Sequence, residues 1–116
     1  MAVKSNIAYN DFPDIVTDTA VTNSPVLDVF RGTANVVYIE ASNSADSSAF
    51  LSIYDSLTPT VGATTPVFEA PIPNSSTLRC SCLLEFSNGV SYAATSSAGG
   101  SSAPSGTIKL TLVGAV

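Results

Sequence analysis

Histidine is absent from this chain of 116 residues. That removes the commonest general base, and with it the ordinary Ser-His and Cys-His routes to an activated nucleophile. The many serines have no recognisable base partner and read as turn and surface residues. Basic residues are scarce: Lys4, Arg31, Arg79 and Lys109 oppose nine acidic residues, for a net charge of −5. Four isolated cations do not form the patch that neutralising several phosphates requires, so nucleic acid is not an expected partner. No apolar run approaches the roughly 20 residues of a helical membrane span, and no membrane is expected. The amino-terminal MAVKSNIAYNDFPDIV lacks the basic start and apolar stretch of a secretory signal, which points to intracellular synthesis. Glycine-rich phosphate motifs are missing too, since Gly99-Gly100 lies in a Ser/Ala run with no lysine after it.

Cysteine is limited to Cys80 and Cys82 in Thr77-Leu78-Arg79-Cys80-Ser81-Cys82-Leu83-Leu84. On a strand, period two puts Leu78, Cys80, Cys82 and Leu84 on one face. Cα atoms two apart on a strand are about 6.5–7 Å distant, at the edge of disulfide geometry, so reduced thiols are expected. Two thiols without histidine cannot complete an ordinary zinc site. Asp11, Asp14 and Asp18 form the one acidic cluster, but their spacing does not match a calcium loop, and they read as an exposed acidic arm. No cofactor and no metal is expected.

The composition is 45% hydrophobic and 11% charged, where about 25% charged is usual, and the mean hydropathy is +0.34. An apolar surface of this kind needs a cover, and a partner protein is the expected one. The length suits one domain. Residues 1–14 show no clear period and read as an N-terminal arm, with a β domain over 15–116. Strands are expected at 15–22, 26–30, 35–42, 48–55, 66–70, 76–84, 90–95 and 107–113. In the fourth of these, Ala49, Leu51 and Ile53 alternate with Phe50, Ser52 and Tyr54, as a half-buried strand requires. Turn clusters separate the strands, and the Ser/Gly/Ala run over 96–106 reads as a mobile loop. No helical stripe of useful length and no internal repeat is seen. Many short strands with Gly, Pro, Asn and Ser turns predict an all-β, single-domain β-sandwich, jelly-roll-like, with the loop around Val61-Gly62 crossing between sheets.

The order of several short words carries a resemblance: Tyr38; Leu51-Ser52-Ile53-Tyr54-Asp55; PTVGATTPV over 59–67; Ile72-Pro73; FSNGVSYAAT over 86–95; and a final apolar strand over 108–113. In this order they resemble small β-rich structural proteins of tailed bacteriophages, over roughly two-thirds of the chain. The chain departs from that pattern at Arg79-Cys80-Ser81-Cys82 and in its N-terminal region. The resemblance implies a virion structural protein of the capsid decoration (cement) type, made in the host cytoplasm and bound to the outer surface of the major capsid protein shell. Self-association as a homotrimer is the symmetric solution expected at local threefold positions.

Candidate interface residues are Tyr9, Phe12 and Ile15 in and beside the arm, and Phe50 and Tyr54 as an outward aromatic pair. Ile108, Leu110 and Leu112 are added on a strand expected to lie at a sheet edge. The alternatives are a neck, tail or head-fibre component, or a carbohydrate-binding module using Phe50 and Tyr54 as a platform. Glu40, Asp55, Glu69 and Glu85 are the carboxylates from which a hydrolytic pair would be drawn, but acids on outer strand faces are ordinarily just solvated, and no enzyme is expected.

Overall fold

The computed structural model describes residues 14–115. Among them there is no helix, and seven strands follow one another: β1 (Asp14–Val21), β2 (Ala34–Asn43), β3 (Ala49–Asp55), β4 (Phe68–Ile72), β5 (Ser76–Phe86), β6 (Val90–Thr95) and β7 (Ile108–Ala115). They form two antiparallel sheets, one ordered β1-β7-β2-β5 and the other β4-β3-β6. The expected arm, with Tyr9 and Phe12, lies outside the described residues apart from Asp14, which opens β1.

Period-two alternation builds the core. On the four-stranded sheet Ile39 pairs with Leu112 and Ala41 with Leu110; on the three-stranded sheet Leu51 pairs with Ala94 and Ile53 with Tyr92. Both rows belong to a single buried apolar cluster, so the sheets share one core. Each large aliphatic side chain so buried stabilises by about 1.5–3 kcal/mol before entropy is counted. Phe30 closes one end, its ring tip against Gly114, where an added Cβ would lie 2.8 Å from the Phe30 Cζ.

Several expectations are corrected. Residues 26–30 form no strand: Val26 makes only an isolated bridge to Tyr92, flanked by hydrogen bonds from Ala94 N–H to the Thr22 carbonyl and from Val29 N–H to the Val90 carbonyl. Pro25 has no N–H to give, and Asp28 and Arg31 take φ of 51° and 59°, so an extended ladder cannot continue. The loop around Val61-Gly62 does not cross between sheets, because β3 and β4 are neighbours in one sheet. It folds back instead, closed by Val67 N–H to the Ile53 carbonyl and tightened where Ala63 and Thr64 N–H both reach the Thr60 carbonyl.

The run over 96–106 is tied down rather than loose. Ser96 N–H reaches the Ser102 carbonyl, Asn23 Nδ2 donates to the Ser101 carbonyl, and Gly99 N–H donates to Glu69 Oε2. Finally, β7 is not an edge strand, since β1 and β2 flank it.

Candidate functional site

The two sheets differ in what covers their outer faces. Over the three-stranded sheet the loops at 56–67 and 96–106 meet, with an added Cβ on Gly62 lying 3.0 Å from the Ser101 Cβ. Beneath them Ser52 and Tyr54 are buried, around a cleft of about 180 Å³. Tyr54, 2% exposed, cannot act as half of an open aromatic platform, although Phe50 beside it remains half-buried. Glu69 accepts from Ser52 Oγ at 3.0 Å and from Gly99 N–H at 3.1 Å, and so pins the second loop to the sheet.

No described segment covers the outer face of the four-stranded sheet. One cross-strand row runs over all four strands, in which Ile15 opposes Val113, Val113 opposes Tyr38, and Tyr38 opposes Ser81. Val37 and Leu83 flank that row, at the point where the β2 register shifts between Val36 and Tyr38. Ile15 is 65% exposed and Leu83 66%. Beside the row Glu40 accepts from the Tyr38 hydroxyl at 2.8 Å and lies 3.7 Å from Arg79 Nε. The hydrogen bond to Glu40 raises the Tyr38 pKa above its usual 10.0. A nonpolar stripe with a polar margin is the usual make-up of a protein contact surface.

Of the interface residues read from sequence, Ile15 lies in this row. Phe50 is on the other sheet, and Ile108, Leu110 and Leu112 are buried in the core, 1% exposed or less, which corrects their assignment to a surface. Val37, Tyr38, Leu83 and Val113 were missed. Leu83 stands out of phase with the Leu78, Cys80, Cys82 row, and that phase was the available signal.

Glu40, Glu69 and Asp55 each have their own hydrogen-bond partners. Asp55 accepts from the backbone N–H groups of Asn88 at 2.8 Å, Ser87 at 3.2 Å and Gly89 at 3.3 Å. These bonds, that from Asn88 foremost, pull its pKa below 3.8. Asp18 points inward and accepts from the Tyr92 hydroxyl at 2.8 Å, so it is not part of a solvated acidic arm. Burial, and then that bond, push the Tyr92 pKa far above its ordinary value. Cys80 and Cys82 are half-buried free thiols on the inner face of β5, and burial raises the Cys82 pKa. Among the described residues no group of three or more Cys, Asp or Glu side chains is arranged to hold a metal ion.

Comparison with protein-family models, with characterised proteins and with solved structures finds no match to this chain.

Proposed function

We propose that this protein is a structural component of a bacteriophage particle, a decoration or cement protein that binds the outer surface of the major capsid protein shell, and that it carries no catalytic activity. The observation that carries the reading is the apolar row on the four-stranded sheet, which no described segment covers and which Glu40 and Arg79 border. The ordered resemblance along the sequence supports it independently. The mechanism is adhesion by area: a modest apolar contact, repeated over a shell, binds neighbouring capsid subunits together. Threefold junctions, and with them a trimer on the shell, are one geometry in which such a contact repeats.

The fold reading that goes with this function is a jelly-roll β-sandwich. A jelly roll has eight strands in two Greek keys. If 22–29, hydrogen-bonded beside β6, is taken as a reduced second strand, the order becomes β1-β7-β2-β5 over 22–29-β6-β3-β4. That order supports the jelly-roll reading.

Binding to particles stripped of the protein tests the function. Ile15→Asp places a charge in the apolar row, away from the core, and is expected to weaken shell binding about tenfold or more while leaving the melting temperature unchanged. Unaltered binding of that variant would remove the row from the account. The burial of Tyr54 weighs against the carbohydrate-platform alternative.

A further inference from the structure

Three of the four sheet edges carry devices that discourage pairing with another chain. β1 breaks register between Asp18 and Val21 and points Asp18 inward. β4 is five residues long and includes Pro71. The free side of β6 is occupied by 22–29, itself interrupted at Pro25 and Asp28. Inward charge, proline, shortness and cover are the usual defences. β5 has none of these four, although it carries Arg79 and Glu85 on its outer face and a register shift against β2. It runs eleven residues without proline, glycine or lysine, lies last in its sheet, and among the described residues pairs with β2 alone. No described residue makes a backbone hydrogen bond to its other side. The register against β2 shifts at Val36–Tyr38, yet the alternation of half-buried and exposed side chains along β5 continues unbroken from Ser76 to Glu85.

We propose that β5 pairs antiparallel with β5 of a second copy of this chain, about a twofold axis at Cys82, so that the two four-stranded sheets join into one. Charge complementarity selects the register. With the axis at Cys82, Arg79 faces Glu85 of the second copy and Glu85 faces its Arg79. Moving the axis by one residue, to Ser81 or Leu83, leaves both charges opposite uncharged side chains. Opposed charges across strands stabilise a pair and like charges disfavour it.

On the same outer face Ser81 opposes Leu83, so the two exposed Leu83 side chains lie diagonally across the axis. On the inner face Cys80 opposes Leu84 and Leu78 opposes Phe86. The half-buried row Leu78, Cys80, Cys82 and Leu84, which packs on the edge of the core, is then completed by its own copy. Arg79 keeps Glu40 on its β2 side and gains a second carboxylate on the other. The contact is isologous and closes as a dimer. It belongs to the chain alone and stands whether or not the particle reading does.

Sedimentation equilibrium of the full chain, with thiols kept reduced, gives the test. A concentration-dependent monomer–dimer equilibrium is expected. Glu85→Arg and Arg79→Glu each place like charges opposite one another twice in their own homodimers, and each is expected to raise the dimer dissociation constant about tenfold or more. An equimolar mixture of the two variants restores both opposed pairs in the mixed dimer and is expected to associate more tightly than either variant alone. A monomer at all concentrations, a trimer, or a mixture no tighter than its components would overturn the proposal. Shell binding is read in a separate assay, so failure here and failure of the cement reading are told apart.

Discussion

Tyr92 and Asp18 join the two sheets through one hydrogen bond, donated at 2.8 Å from a ring that is 1% exposed. Tyr92→Phe keeps the ring and removes the bond, and is expected to cost about 1–2 kcal/mol in a denaturant titration near neutral pH. The Tyr92 pKa is raised in the fold, so the unfolded chain releases this proton first as the pH climbs. The stabilisation is complete below the ordinary value of 10.0 and is lost as pH rises beyond it. Wild-type protein is therefore expected to lose stability above about pH 10 more steeply than Tyr92→Phe, as melting temperatures across that range would read.

Asp55 behaves in the opposite sense. Its carboxylate serves three backbone donors of the 87–89 turn and its pKa is lowered, so its contribution is complete above 3.8 and fades as pH falls through the folded value. Asp55→Asn should destabilise by about 1 kcal/mol at pH 7, a modest figure because the turn is open to solvent. The gap from wild type should narrow as the pH is taken well below 3.8.

At the scale of elements, β7 and β5 show what a period-two pattern tells and what it withholds. Both alternate cleanly, and both were legible as strands from the sequence. Alternation fixes which residues share a face but not how many neighbours flank the strand. The central position of β7, and hence the burial of Ile108, Leu110 and Leu112, was therefore not readable. The 26–30 segment alternates well enough to suggest a strand, but Pro25 and the left-handed Asp28 take away the ladder. Tyr54 points away from the core as its phase requires, yet the loop that follows β3 and a second loop distant in sequence fold over it, and no local pattern announces that.

The contrast between the two strands can be measured. Leu112→Ala removes a fully buried side chain and is expected to cost about 2–5 kcal/mol, whereas Leu83→Ala, on an exposed outer face, should change stability by less than about 0.5 kcal/mol. Equal losses for the two would mean that the inner and outer faces of the four-stranded sheet have been assigned wrongly.

At the scale of the molecule, the structure measures 49 × 27 × 19 Å, and among the described residues loops cover one broad face and none covers the other. That face bears the Ile15–Val113–Tyr38 row, and the β5 edge beside it has no proline, no inward charge and no cover among the described residues. They are the face proposed for a shell and the edge proposed for a copy of the chain. Functional reading from composition went as far as an apolar surface in need of cover. The particular row was hidden because it is assembled from four strands that are scattered along the chain. The direct measurement is to add purified protein to phage particles stripped of it and locate the new density by cryo-electron microscopy. The cement account predicts regular density at capsomer junctions over the whole shell, with the open sheet face against the capsid and greater resistance of the particle to heat. Density confined to the neck, tail or fibres, or none at all, would contradict it.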